Sequence, residues 1–385
     1  LYTHKKLQTS PYVIITTDGI NKDKKFFSTL TGEYYDIEDT NLQILEYCRY
    51  PREIEELQQK FGEDTIEELI INKLLSDPST VWQETNIVYM EMETCTYCNW
   101  KCEYCPITFD PKPHRVMGMD VYNEIIDKAA RHPSLKHIAF NFFNEPTLDI
   151  FFEDRVRKLA QTHLKLILFT NGSMLDEGKI QLLKDTGVLD TVRFNVPSVN
   201  EAEFKRLTGS SLFRRTMANI ENSIAAGFNV EILVNGTTEE VAKNMKEIED
   251  KYRAFENVRI LHYITMDRAG LLKNRYAMNY HHKDELCGCM QIIKELRVGY
   301  NGDFFICTMD YYQKDVFGNI KDGEIEDIMQ SQKAQLIRKR VFGAETAPED
   351  YICRRCWAIM LARLDSRHSK GIKPVFKEKG IGVKL

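Results

Sequence analysis

The chain has 385 residues, 43% hydrophobic and 28% charged, the composition of a globular protein of two or three domains with ample length for a proper core. A formal net charge of −5 excludes the basic field expected of a nucleic-acid or anionic-membrane binder. No apolar run reaches the length of a membrane span and no basic-then-apolar leader opens the chain, so a cytoplasmic protein is expected. The chain opens on Leu1 in place of Met, and the natural N-terminus is expected upstream.

Strand and turn signals come first along the chain. Tyr12–Thr17 reads as a strand ending at Asp18-Gly19. Phe26–Leu30 and Tyr34–Ile37 flank Thr31-Gly32-Glu33, a hairpin signal. Asp39-Thr40 is expected to cap a short helix with Leu42, Leu45 and Cys48 on its apolar face. Pro51 is expected to open a second helix carrying Ile54, Leu57 and Phe61. A third carries Ile66, Leu69, Ile70 and Leu74-Leu75 and stops before Pro78. Residues 1–80 therefore read as a winged-helix-like module.

From residue 85 to 275 strands alternate with helices. The strands expected are Ile87–Met92, His137–Phe142, Lys165–Phe169, Thr191–Val196, Asn229–Val234 and Val258–Tyr263. Phe213, Met217, Ile220 and Ile224 mark one amphipathic helix between them; Val241, Met245, Ile248 and Tyr252 mark another. Six such steps predict an α/β fold, a partial (β/α)6 TIM-like barrel whose ligands sit at the C-terminal ends of the strands. Residues 276–385 form a third, α+β part.

Ten cysteines, clustered in C-x-x-C steps without a secretion signal, read as metal ligands rather than disulfides. Four of them, Cys95, Cys98, Cys102 and Cys105, crowd the loop after the first barrel strand. Iron–sulfur clusters take closely spaced thiolates from one loop, and the run C-x2-C-x3-C-x2-C-P approaches the ferredoxin order. Three residues between the two C-x-x-C pairs is too short for the usual paired zinc knuckles.

Cys98-Asn-Trp-Lys-Cys102-Glu-Tyr-Cys105 resembles the C-x3-C-x2-C loop of the radical S-adenosylmethionine (SAM) superfamily. The resemblance implies that these three cysteines hold a [4Fe–4S] cluster whose fourth iron binds SAM, leaving Cys95 a non-ligand. It also implies reductive cleavage of SAM to a deoxyadenosyl radical that abstracts hydrogen from a substrate, with a flavodoxin- or ferredoxin-type electron donor. Asn144-Glu145-Pro146 stands where the family carries G-G-E-P, with both glycines replaced. Thr170-Asn171-Gly172 matches a common T-N-G, and Asn195 to Ser198 followed by Arg206 stands where the family contacts SAM after strand four.

Downstream, Cys289, Cys307, Cys353 and Cys356 surround a hairpin signal at Asn301-Gly302. They resemble the ligands of the one-cluster "twitch" form of the SPASM auxiliary domain, which implies a second [4Fe–4S] cluster. Cys287 is left over beside Cys289, either its replacement as ligand or a hydrogen-atom donor. The N-terminal pattern F-F-S-T-L-T-G-E-Y-Y-D-I-E-D-T-N resembles the recognition element of ribosomal-peptide (RiPP) maturases, which implies binding of a precursor's leader peptide as an added strand. The expected function is hydrogen abstraction from a precursor peptide, leading to a cross-link, thioether, epimerisation or oxidation. The alternatives are a dehydrogenase or epimerase of a small molecule such as an aminoglycoside precursor, and a non-catalytic iron–sulfur redox protein.

Overall fold

The computed structural model of the chain describes residues 5–17, 24–277, 286 and 288–356. They pack as two compact units, one formed by the described residues of 1–87, 280–295 and 326–385, the other by those of 88–279 and 296–325.

In the first unit β1 (Lys6–Thr9) is followed by β2 (Val13–Thr17), β3 (Lys24–Ser28) and β4 (Tyr34–Asp36). β2, β3 and β4 form the expected antiparallel sheet, with the turn closing through the Ser28 N–H to the Glu33 carbonyl at 3.1 Å. Gly32 takes φ +81 there, a left-handed value that a side chain would resist. Helices α1 (Asp39–Tyr47), α2 (Ile54–Phe61) and α3 (Glu63–Ile71) follow, and Ile44, Leu45, Cys48, Leu57, Ile66 and Leu69 bury their apolar faces in one core with Phe26. Two local expectations are corrected. The residue at the entry of α1 is Glu38, which makes no side-chain cap. α2 starts at Ile54 rather than Pro51, because β5 (Arg52–Glu53) pairs with β1, as does β6 (Leu75–Ser76).

The second unit is built on a nine-stranded sheet. β7 (Tyr89–Met92), β8 (His137–Phe140), β9 (Lys165–Thr170), β10 (Leu189–Asn195), β11 (Val230–Gly236) and β12 (Val258–Ile264) lie side by side in chain order, all parallel. The connections carry α4 (Pro106–Phe109), α5 (Met119–Arg131), α6 (Phe152–Leu159), α7 (Glu177–Thr186), α8 (Glu201–Thr208), α9 (Phe213–Ala225) and α10 (Thr238–Tyr252). Their starts are written locally: Asp176 and Asn200 cap α7 and α8, and Thr237 with Glu240 forms a capping box on α10. This is the expected α/β architecture, and it gathers the ends of six strands at one edge.

α11 (Gln291–Lys294) belongs to the first unit, while in the second β13 (Glu295–Val298) extends the sheet next to β7, with β14 (Asp303–Phe305) and β15 (Val316–Asn319) beyond it. β13 and β14 form the expected hairpin, in the register Arg297↔Phe305 and Val298↔Phe304, with Gly302 at φ +86. α12 (Ile325–Gln330) and α13 (Gln332–Val341) complete the chain up to a one-turn helix at Ile352–Arg355. In the first unit Phe342 packs edge-on to Tyr12, and buried Arg338 donates to the carbonyls of Trp82 and Met329. The N-terminal module thus shares its packing with helices more than 250 residues later in the chain.

Candidate active site

The loop that leaves β7 folds back on the ends of β8 and β9. Cys95 differs in kind from the three cysteines after it. It is fully buried, its backbone bridges Val116, and its Sγ lies 3.5 Å from the Glu145 carbonyl and 3.7 Å from Asn144 Nδ2. Burial above all pushes its thiol up to about 12, so it remains a protonated donor held by the chain's own groups.

Cys98, Cys102 and Cys105 instead face one another. Burial raises all three thiols; Cys98 is raised further by Glu145 and Cys105, and Cys102 by Cys105 and Cys98. Three thiols within electrostatic reach in one loop, Cys102 buried and Cys98 and Cys105 partly so, are a poor arrangement unless cations share the site and draw the protons off. The loop turns through the Cys105 N–H to the Cys102 carbonyl at 3.1 Å, and Cys98 Sγ receives the Trp100 N–H at 3.4 Å.

Glu145 brackets this loop from below. It is 1% exposed, and its carboxylate accepts from the Thr147 N–H, the hydroxyls of Thr147 and Thr170, and the Asn171 N–H at 2.6 Å. Even so, burial outweighs these bonds and raises its pKa. The chain thus engages the Glu145 carboxylate, and its backbone as well, the N–H donating to the Tyr97 carbonyl at 3.0 Å and the carbonyl accepting from the Leu148 N–H at 3.1 Å. Asn171 carries the bracket forward, its Nδ2 reaching Asn99 Oδ1 at 2.8 Å and Cys98 Sγ at 3.8 Å. Gly172 follows at φ +76, where an added Cβ would stand 2.9 Å from the Phe194 ring. Asn144 turns its side chain to the Phe142 N–H and to Cys95, so it too is engaged within the protein; Pro146 is buried in a single helical turn.

On the other side Tyr104, 5% exposed, is held by Asn195 Nδ2 at 3.0 Å, and Asn195 Oδ1 accepts from Asn235. Asn235, which sequence reasoning overlooked, is the next-to-last residue of β11, while Asn195 ends β10; a polar residue near the end of a parallel strand was the available signal. Ser198 is fully buried and its hydroxyl receives the Asn200 N–H, a turn role ahead of α8. Arg206 is half exposed and bonded to Glu240 at 2.7 Å and Glu103 at 3.3 Å. Arg275 joins the same two carboxylates, so the clasp ties the cysteine loop at Glu103 to α8 and α10.

The downstream cysteines divide between the units. In the first, Cys289 and Cys356 lie within electrostatic reach, and burial foremost pushes the Cys289 thiol up to about 12. Cys353 and Cys356 bracket the last turn, with the Cys356 N–H on the Cys353 carbonyl at 3.3 Å. In the second, Cys307 follows β14 and its Sγ receives the Met309 N–H at 3.3 Å. Cys287 lies outside the described residues.

The donor set fits a [4Fe–4S] cluster at the first loop. A cube takes each thiolate on a different iron, so its ligands stand further apart than those of one ion. Among the described residues no three His, Cys, Asp or Glu side chains converge as a single ion requires, while three thiols of one loop lie within electrostatic reach of one another. No helix among the described residues is long and apolar enough to cross a membrane.

Comparison with known proteins agrees with this geometry. Residues 92–252 match the radical SAM superfamily, and residues 287–357 match SPASM, an iron–sulfur cluster-binding domain. The chain is 31% identical over 115 residues to a tungsten-containing aldehyde ferredoxin oxidoreductase cofactor-modifying protein of Pyrococcus furiosus, covering 30% of this chain and 32% of that one. It is 22% identical over 272 residues to the S-adenosyl-L-methionine-dependent 2-deoxy-scyllo-inosamine dehydrogenase of Niallia circulans, covering 69% and 91%. It spans about a third to a half of the length of the curated relatives it matches first. Among solved structures, Streptococcus suis SuiB bound to precursor peptide SuiA superposes with a TM-score of 0.56 at 12% identity, covering 86% of this chain and 89% of SuiB. The chain thus carries a radical SAM domain followed by a SPASM iron–sulfur cluster-binding domain, which implies [4Fe–4S] clusters and SAM as cofactors.

Proposed function

We propose that this enzyme modifies a ribosomally made precursor peptide. Residues 1–80 serve as the recognition module, 85–275 as the radical SAM barrel and 276–385 as the auxiliary-cluster domain. Cys98, Cys102 and Cys105 hold the SAM-binding cluster, and Cys289, Cys307, Cys353 and Cys356 hold the second. When bound, the first cluster and SAM supply a deoxyadenosyl radical able to take hydrogen from an unactivated carbon. The chain's part is to hold and shield. Glu145, Thr170 and Asn171 fix the loop from the β8 and β9 side, with Asn144 and Pro146 shaping the backbone there. Tyr104, Asn195 and Asn235 fix it from the β10 and β11 side, while Ser198 and Arg206 set the entry and clasp of α8. Cys287 is proposed as hydrogen donor, and a flavodoxin- or ferredoxin-type protein in the cytoplasm as reductant.

The observation that carries the peptide reading is the edge of the N-terminal sheet. β4 pairs with β3 and, among the described residues, with no other strand, and Tyr34 on it is 51% exposed beside Phe27. An open three-residue edge with an exposed aromatic is a template for an added peptide strand. The likeness to SuiB supports the fold of this arrangement over most of the chain.

The test is anaerobic turnover of peptides encoded beside the gene, read by peptide mass and deoxyadenosine. A mass change is expected, with KM raised about tenfold by Tyr34→Asp. The length over which the Niallia circulans dehydrogenase aligns favours a second reading, oxidation of an amino-cyclitol. Peptides left unchanged while 2-deoxy-scyllo-inosamine is oxidised, with Tyr34→Asp at full rate, would replace the first reading with the second. Deleting residues 1–80 is a poorer test, because Tyr12 packs on Phe342 and Trp82 within the same unit.

A further inference from the structure

The inward cations of the second unit are paired with acids. Lys112 meets Glu93 at 2.7 Å, Arg155 meets Asp149 at 2.7 Å, Arg193 meets Glu231 at 2.5 Å and Arg297 meets Glu91 at 2.6 Å. That is the usual solution, since an unpaired charge at a partly buried site forfeits solvation. Arg268 departs from it. Its Nε is buried without a hydrogen-bond partner among the described residues.

The backbone holds Arg268 there at a cost. Arg268 and Ala269 take φ +53 and +56, left-handed values that cost a side-chain-bearing residue about 1–2 kcal/mol each. The turn is nevertheless fixed, with the Leu271 N–H on the Arg268 carbonyl at 3.3 Å and the Leu272 N–H on the Asp267 carbonyl at 2.9 Å. Strain of this kind persists where the resulting side-chain position is useful.

That position is beside the cysteine loop. The guanidinium lies 5.5 Å from the centre of the Phe143 ring and 5.7 Å from that of Tyr263. Phe143 belongs to a buried cluster with Ile107, Phe142, Phe305 and Tyr311, against which both Cys105 and Leu271 pack. The same turn therefore sets Leu271 and the Arg268 charge against the wall behind Cys105. Arg268 is partly buried there, so solvent screens its charge less than at an exposed site.

We propose that Arg268 is a positioning residue that tunes the SAM-binding cluster, its charge raising the reduction potential of the iron held through Cys105. The inference rests on the reading of Cys105 as a cluster ligand. Reduction adds one electron, supplied in the test by dithionite, and so makes the site more negative by one charge; a fixed cation nearby favours the reduced state.

The experiment is an anaerobic redox titration of the reconstituted holoenzyme, following by electron paramagnetic resonance the signal that changes when SAM is added. Arg268→Gln and Arg268→Met are expected to lower its midpoint by about 30–60 mV, a threefold to tenfold loss in the reduction equilibrium, since tenfold is 59 mV for one electron. Arg268→Lys should restore most of it, and iron per chain should match the wild type. An unchanged midpoint in both neutral variants overturns the proposal. So does an unchanged midpoint with SAM affinity weakened about tenfold, which would assign the guanidinium to the cofactor's carboxylate. Loss of the cluster in both neutral variants but not in Arg268→Lys overturns it too, making the charge a requirement for assembly. A wild-type protein with no SAM-sensitive signal would instead sink the ligand reading beneath it.

Discussion

Two glycines with nearly the same backbone separate the demands of the helix from the demands of the cysteine loop. Gly187 ends α7 at φ +60 and ψ 15, and Gly209 ends α8 at φ +64 and ψ 11. A Cβ at Gly187 would meet nothing within 4 Å, whereas one at Gly209 would stand 3.1 Å from Lys101 Cβ and 3.2 Å from the Lys101 carbonyl oxygen. Lys101 lies between Cys98 and Cys102, and its N–H donates to the Thr208 carbonyl at 2.9 Å, with Glu103 N–H on Leu207 at 3.2 Å. Alanine in this left-handed conformation costs about 1–2 kcal/mol at either position. At Gly209 the added atom must also push backbone aside by a few tenths of an ångström, and overpacking of this kind costs about 1–3 kcal/mol more. Gly187→Ala should therefore lower stability by about 1–2 kcal/mol and keep wild-type iron and SAM cleavage. Gly209→Ala should lose about 2–5 kcal/mol in all and hold less iron in the SAM-binding site. Denaturant unfolding, iron per chain and deoxyadenosine release measure the three quantities. Equal losses in both variants, with equal iron, would refute the dependence of the cysteine loop on the end of α8.

Replacing Cys98, Cys102 or Cys105 by Ala should abolish SAM cleavage and remove about four irons per chain, while Cys95→Ser leaves both in place. Cleavage lost in Cys95→Ser would count Cys95 as a ligand. Cys353→Ala should spare uncoupled deoxyadenosine release yet lower iron by about four, and equal loss of cleavage would show the two sites to be interdependent. The clasp carries a pH signature. Burial works against the Glu240 carboxylate, but bonds from Arg275, the Thr237 N–H and Arg206 outweigh it and hold its pKa below the ordinary 4.5. A carboxyl with a depressed folded pKa contributes stability in full above the unfolded value and loses it as pH falls through the folded one. Glu240→Gln should thus be less stable than wild type at neutral pH, with the difference closing below about pH 4.5 in a pH series of thermal unfolding. A constant difference down to pH 3 would contradict the linkage.

The six parallel strands were legible because each is a short apolar run followed by an amphipathic helix, a pattern that needs no knowledge of distant residues. The closeness of Cys98, Cys102 and Cys105 was legible for the same reason: they are neighbours in sequence. The small pairings were not. β5 is two residues long and exists because Arg52 and Glu53 meet Leu7 and Lys6, which displaces the start of α2 past Pro51. No local signal in Arg52-Glu53 announces a strand, and the proline was the stronger local cue.

Within the site, the same division decides what a motif can and cannot say. Asn144-Glu145-Pro146 and Thr170-Asn171-Gly172 were found as separate motifs, but their relation is one carboxylate, Glu145, accepting from Thr170 and Asn171 of the next strand. Pairing of β8 with β9 in the register Phe140↔Leu168 brings the two strand ends to the same level, so the two motifs form one bracket under Cys98. The loss of both family glycines before Glu145 becomes intelligible in that setting. Phe143 supplies part of the apolar wall behind Cys105, and Asn144 satisfies the Phe142 N–H and reaches Cys95. What the two glycines would have given in open backbone, this chain replaces with side chains that fill and tie the same corner. Cys95 is then best understood as a partner of Asn144: a buried thiol closing a hydrogen-bonded corner.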